Sequence, residues 1–167
     1  MRVADYILAR LADEGITYAF TVYGGAVSEL LDAFTRQTRI TYVCTQHEQA
    51  AVFCAEGAAK ARADGVPGLV IVTSGPGGGN IVTGLQNCFY DSVPLVAITG
   101  QVATKLIRPR ASELRQLGFQ ETPIVDIVGE ITKYADTVTS AADVPGQLEQ
   151  AIHLARSGRP GPVLLDV

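Results

Sequence analysis

The stretch Leu69-Val70-Ile71-Val72-Thr73-Ser74-Gly75-Pro76-Gly77-Gly78-Gly79-Asn80 passes from an unbroken apolar run into glycine and proline. A short apolar run bounded by Gly68 and by Thr73-Ser74-Gly75 has the pattern of a strand buried on both faces. Pro94 to Thr99 repeats it, and a helix from about Gly79 to Tyr90 fills the interval, so Leu69 to Thr99 has the length and order of a βαβ unit. Upstream, Val3, Ile7 and Leu11 fall on one helical face with Ala4 and Leu8 beside them, and Gly15 stands where a stop belongs. A strand at Tyr18 to Val22 follows. Beyond Gly24-Gly25, Ser28 can cap a helix through Leu30, Leu31 and Phe34, and Thr41 to Cys44 reads as a second strand. Glu48 to Ala63 is an Ala-rich helix whose small side chains allow close approach to a neighbour, and it ends near Asp64-Gly65. Downstream, Ala103 to Gly118 reads as a long loop with room for one short helix. Ile124 to Val128 (helix), Lys133 to Val138 (strand), Val144 to Ser157 (helix) and Val163 to Asp166 (strand) close the chain. The alternation predicts one α/β domain over residues 1–167, three layers α/β/α around a mainly parallel six-stranded sheet.

The chain has 167 residues, 47% apolar and only 18% charged, with 13 Lys+Arg against 17 Asp+Glu and a net charge of -4. Soluble proteins usually carry about a quarter of their residues as charges. Either the core is large or part of the surface is not meant to meet water. Mild acidity without a basic stripe argues against nucleic acid as a partner. The longest apolar runs, Gly68 to Val72 and Pro94 to Ile98, fall far short of the roughly 20 residues that span a bilayer. Arg2 and Asp5 interrupt the start before an apolar stretch develops, so no secretory leader and no membrane role are expected. Cys44, Cys54 and Cys88 form no CxxC pair and read as small buried hydrophobes of a reducing cytoplasm, with no metal site.

Two segments carry candidate chemistry. Four glycines and a proline between Gly75 and Gly79 bring bare backbone up to something flat or anionic, or else form only a tight βα turn. A P-loop would need Gly-Lys-Ser/Thr, yet no lysine lies between Lys60 and Lys105. A Rossmann nucleotide-binding fingerprint would need Gly or Ala at Asn80 and an acid ending the next strand, which instead ends Ile98-Thr99-Gly100. A nucleophile elbow around Ser74 would need glycine at Val72. The second segment is Thr45-Gln46-His47-Glu48, where Thr45 and Glu48 have the spacing of a capping box. Glu48 also stands at the C-terminal edge of a parallel sheet, where open α/β folds hold ligands, and alanine and valine neighbours would desolvate it. His47 lacks an acidic partner and reads as a hydrogen-bonded neighbour, and His153 as a surface residue.

Taken with Gly65-Val66-Pro67-Gly68, Gly84-Leu85, Asp91-Ser92-Val93-Pro94, Ile98-Thr99-Gly100-Gln101-Val102, Phe119-Gln120-Glu121-Thr122, Ile131-Thr132-Lys133-Tyr134 and Arg159-Pro160-Gly161-Pro162-Val163, these motifs resemble the N-terminal, pyrimidine-binding domain of thiamine-diphosphate-dependent enzymes. Within them the chain is most similar to the acetohydroxyacid (acetolactate) synthase branch. The resemblance implies the thiamine-diphosphate-binding fold and a 2-oxo acid substrate. It implies that Glu48 hydrogen-bonds the ring nitrogen of the cofactor's aminopyrimidine and favours its imino tautomer, which activates the thiazolium carbon. It further assigns Gly24, Gly25, Gly75, Pro76 and Asn80 to cofactor contact, Gln101 to the reacting centre, and Phe119 and Gln120 to the substrate side.

The sequence also departs from that pattern. Val22-Tyr23-Gly24-Gly25 stands where the synthases commonly carry Tyr-Pro-Gly-Gly, and Lys105 to Gly118 is longer and more basic than in a plain acetolactate synthase. Simple pyruvate decarboxylases carry a histidine pair after the fourth strand, whereas this stretch has no histidine, which favours carboligation. The family's magnesium and diphosphate motif is absent. The resemblance assigns it to a diphosphate-binding domain, later in the full-length chain or in a separate subunit, and implies a homodimer or higher oligomer. The closing strand Leu164-Leu165-Asp166-Val167 is expected to continue into a longer chain, and the isolated chain is expected to be inactive. A non-catalytic interaction subunit that keeps the fold is the alternative.

Overall fold

A computed structural model describes residues 1–167. Its central strands are the two apolar runs: β3 (Gly68–Val72) and β4 (Leu95–Thr99) are buried throughout and pair in parallel register from Gly68↔Leu95 to Val72↔Thr99. With β1 (Tyr18–Thr21), β2 (Thr41–Cys44), β5 (Tyr134–Thr137) and β6 (Pro162–Asp166) they form a six-stranded sheet in the order β2-β1-β3-β4-β6-β5. Every pairing is parallel, so the sheet expected to be mainly parallel is wholly so.

Alternation along the strands divides the core. Leu69, Ile71, Val96, Ile98, Val163 and Leu165 pack on one face with α1 (Val3–Asp13), α2 (Ser28–Ala33) and α7 (Val144–Arg156). Val70, Val72, Leu95, Ala97 and Leu164 pack on the other with α3 (Glu48–Lys60), α5 (Val82–Asp91) and α6 (Ile124–Val128). Each large aliphatic chain removed from water contributes about 1.5–3 kcal/mol, and these three layers hide both faces of the sheet.

Three local expectations are corrected. The helix expected from about Gly79 starts earlier and is broken in two: Pro76 opens a short helix, α4 (Pro76–Asn80), separated from α5 at Ile81. Proline at the first helical position pre-sets φ, and Gly75 takes the left-handed turn ahead of it at φ +63°. The Thr45/Glu48 capping box does not form, because α3 starts two residues later than that box requires. His47 is the N-cap, its Nδ1 accepting from the Gln49 N–H at 3.1 Å, while the Thr45 hydroxyl donates to the His47 carbonyl at 2.9 Å. Finally, only Cys88 is buried. Cys44 and Cys54 are exposed, on an edge strand and on the outer side of α3.

α3 lies very close to its neighbours. A Cβ on Gly68 would stand 2.2 Å from the Ala55 carbonyl oxygen, and one on Gly84 would stand 2.1 Å from a Val52 methyl. Backbone cannot yield as a flexible side chain does. Gly68→Ala is therefore expected to lower the urea-unfolding free energy by about 2–3 kcal/mol. Gly146 is exposed inside α7 with open space at its Cβ, so Gly146→Ala is expected to raise it by about 0.5–1 kcal/mol. Equal effects at the two positions would contradict this packing.

Candidate functional site

The strand order reverses between β1 and β3, which opens a crevice at their C-terminal ends. Thr73, the first residue after β3, stands there between two glycines. A Cβ on Gly24 would lie 2.3 Å from the Thr73 Cβ, and one on Gly77 would lie 2.8 Å from the Thr73 methyl. Gly24 is extended at φ -168°, so it is the close approach and not the backbone conformation that requires glycine there. Gly75 would place a Cβ 2.8 Å from that of Gln120, which itself holds φ +58°. Two separated segments, one expected to meet cofactor and one substrate, are thus in contact.

Glu48 emerges at the first position of α3 beside this turn. The ideal Cβ on Gly77 would sit 3.6 Å from the Glu48 Oε1. Oε2 accepts from the Asn80 amide at 2.9 Å, so the two expected residues form one unit, while Oε1 has no protein donor. The expectation of a desolvated carboxylate is not met within this chain. The buried face of α3 is Ala51, Val52 and Ala55, and Glu48 stands half-buried at its rim. Because His47 performs the capping, the Glu48 carboxylate is left free for other partners.

An open cavity of about 400 Å³ lies on the other side of Thr73, lined by Gly25, Ala26, Thr73, Ser74, Gln101 and Gln120, with Val102, Ala103, Leu106 and Phe119 at its outer wall. Four expected residues, Gly25, Gln101, Phe119 and Gln120, therefore meet around one space. Glu48, Pro76 and Asn80 do not line it; Thr73 is what joins the two groups. Phe119 is 81% exposed, an aromatic ring with nothing packed over it.

The sequence reading missed Asp166. This carboxylate ends β6 at 1% exposure, accepting from the Thr99 hydroxyl at 2.7 Å through Oδ1 and from the Gln101 amide at 2.7 Å through Oδ2. The signal was present: a lone acid closing the doubly buried run Val163-Leu164-Leu165 must find donors inside. Thr73 was passed over because its role depends on contacts between distant glycines.

The segment after Gln101 arches over the site. Glu121 ties it down, its carboxylate accepting from the N–H groups of Arg108 at 2.8 Å, Leu117 at 2.7 Å and Gly118 at 3.4 Å. Lys105, Arg108 and Arg115 in this arch have no side-chain partner. Lys60 and every other arginine of the chain have one, and the Lys133 ammonium donates to the Leu154 and Ser157 carbonyls.

Residues 1–129 match the family model for the thiamine pyrophosphate enzyme, N-terminal TPP binding domain. Over 164 residues, 98% of the chain, the sequence is 48% identical to acetolactate synthase 2, chloroplastic, of Nicotiana tabacum, of which the match covers 23%. It is likewise 48% identical to acetolactate synthase, chloroplastic, of Arabidopsis thaliana, and 43% identical to the acetolactate synthase isozyme 3 large subunit of Escherichia coli, covering 23% and 27% of those chains. The chain thus spans about a quarter of the length of the curated relatives it matches. No helix is long and apolar enough to cross a membrane.

Burial outweighs the hydrogen bonds from Thr99, Gln101 and Thr137 and pushes the Asp166 carboxyl from 3.8 up to about 6. Between those values the folded chain holds a proton that the unfolded chain has lost, so the stabilisation is full below about pH 4 and disappears as pH rises through about 6. The loss is on the order of 3 kcal/mol. Asp166→Asn is expected to remove it: in urea unfolding at pH 4 and pH 7, the parent loses stability relative to the variant. Parallel slopes would contradict this.

Proposed function

Because the chain belongs to the family of thiamine pyrophosphate enzyme N-terminal TPP-binding domains, we propose that it forms the pyrimidine-binding wall of a 2-oxo acid carboligase of the acetolactate synthase type, with Glu48 as its proton-holding residue. The single observation that carries this reading is the Glu48 carboxylate. One oxygen is fixed by Asn80, while the other faces bare backbone at Gly77 without a protein donor.

The residues fit the cofactor's aminopyrimidine. A flat ring needs a surface free of side chains: Gly25 and Gly79 are exposed with open space where a Cβ would stand, while Gly24, Gly75 and Gly77 lock the two turns together against Thr73 and Gln120. When bound, thiamine diphosphate supplies a thiazolium that stabilises a carbanion. Glu48 Oε1 would share a proton with a ring nitrogen, Asn80 would hold the carboxylate in place, and Gly25, Gln101, Phe119 and Gln120 would form the substrate side. A chain that had lost catalysis would have no use for a carboxylate fixed through one oxygen by Asn80 with the other left without a donor.

The rest of the enzyme lies outside this chain. No group of three or more His, Cys, Asp or Glu residues is placed to hold a metal, and the proposal assigns diphosphate and magnesium to a separate diphosphate-binding domain. α3 is apolar on two sides: Ala51, Val52 and Ala55 face the core, while Ala50, Phe53, Cys54 and Gly57 are exposed. That second face, with the exposed strand β2, supports docking of the partner domain or a second copy in a homodimer or larger oligomer. Three free cysteines suit a reducing compartment such as the cytoplasm.

Glu48→Gln is expected to abolish thiamine-diphosphate-dependent turnover of the assembled enzyme while leaving the circular dichroism spectrum and urea midpoint of this chain unchanged. Retained turnover would remove Glu48 from the role. A 2-oxo acid is anionic, so the unpartnered cations of the arch should attract it. Replacing Lys105, Arg108 and Arg115 together by alanine is expected to raise KM for pyruvate roughly five-fold, more at low salt, with kcat nearly unchanged. An unchanged KM at low ionic strength would separate the arch from substrate capture.

A further inference from the structure

We propose that Asp166 is the positioning residue of Gln101: it turns the carboxamide so that the NH2 group is committed at the β4–β6 sheet end and only the carbonyl oxygen remains to face the cavity beside Phe119. This deepens the reading of Gln101 given above and rests on it only for what the cavity receives.

The Gln101 backbone N–H donates to the Val167 carbonyl at 2.8 Å, which fixes where the side chain begins. Its Nε2 donates to Asp166 Oδ2 at 2.7 Å and to the Thr122 carbonyl at 3.3 Å, and its Oε1 accepts from the Val102 N–H at 2.8 Å. A carboxamide has two N–H donors and an oxygen with two lone pairs, so both donors are in use and one lone pair is left. A flipped amide would set its oxygen against an ionised carboxylate, two acceptors with no proton between them, while leaving Val102 facing an NH2 group. Ionised Asp166 therefore permits one orientation. Protonated Asp166 is itself a donor, and it can satisfy the amide oxygen and release the NH2 group. Toward a bound molecule, Gln101 is then an acceptor when Asp166 is charged and can become a donor when it is neutral.

The surroundings leave that decision to Asp166. Thr99 on β4 and Thr137 on β5 are its neutral hydrogen-bonding neighbours. The charged groups around it are Arg108, Arg110 and Glu121 of the arch and Asp126 on α6, across a shared cavity of about 90 Å³, and Asp136 on β5. Arg110 is paired to Asp126 at 3.0 Å, Glu121 is occupied by backbone N–H groups, Asp136 accepts from Tyr134 and Gln147, and none of them forms an ion pair with Asp166. Burial without a cation holds the carboxyl up to about 6, so the change of state falls in an accessible range.

The side-chain NH2 resonance of Gln101 reports this in the chain itself, identified by its disappearance in Gln101→Glu. Recorded by 1H–15N correlation NMR from pH 4 to pH 8, it is expected to titrate with the same midpoint as the Asp166 carboxyl carbon, near pH 6. The midpoint should vanish in Asp166→Asn and rise in Thr99→Val, which removes one donor to the charged form. A Gln101 resonance that is flat across this range, or that titrates identically in Asp166→Asn, overturns the proposal. Should Asp166→Asn not fold, an unmoved midpoint in Thr99→Val overturns it equally. Turnover plays no part in this readout, so failure of the cofactor reading and failure of the Asp166–Gln101 link are distinguishable.

Discussion

Thr73 occupies the point where the turns after β1 and β3 converge, and no atom larger than hydrogen fits at Gly24 or Gly77 around it. Everything else at the site takes its place from that crowding. The turn after β1 is pressed onto the turn after β3, Gly77 brings α4 down beside Glu48, and Gly75 meets Gln120 from a segment more than forty residues later. A helix containing three successive glycines is costly, about 1 kcal/mol per residue relative to alanine. Close approach to Thr73 accounts for Gly77 and contact with Ile124 and Thr99 for Gly78, while Gly79 has open space at its Cβ.

The sheet was readable because burial on both faces leaves a direct trace. Leu69–Val72 and Leu95–Ile98 have no polar position to break them, and the helices between strands show the complementary periodicity. What escaped depends on contacts between distant residues or on one-residue offsets. The capping box fails although Thr45 and Glu48 have the right spacing, because the Thr45 N–H that Glu48 would accept from is given to the Thr21 carbonyl at 2.9 Å and the helix starts later, capped by His47. Propensity disfavours a helix at Gly77 and Gly78 and so places its start near Gly79, whereas α4 opens at Pro76, with Gly77 against Thr73. Asp166 looked like an ordinary strand end until Thr99 and Gln101 closed around it.

The low charge count also has a structural reading. Both sheet faces are covered by apolar helices, which accounts for part of the surplus. Another part lies outside: Tyr18, Tyr23, Tyr42, Phe53 and Phe119 are exposed aromatics, and β2 is exposed along its length. A half-buried Glu48 held by Asn80 belongs to the same pattern, since its desolvation requires something placed over it. The geometry is that of one wall of a site, polar at Glu48 and Asn80, with exposed backbone at Gly25 and Gly79, and open on the side that a partner and a cofactor would close.

A structure of the assembled enzyme with thiamine diphosphate bound tests this account most directly, through the distance from the Glu48 carboxylate to the nearest ring nitrogen of the aminopyrimidine. The account predicts a hydrogen bond from Oε1, roughly 2.6–3.2 Å, with Asn80 still on Oε2 and the ring lying against Gly75 and Gly77. A pyrimidine ring whose nitrogen is met by another residue, with Glu48 turned to solvent, would contradict it.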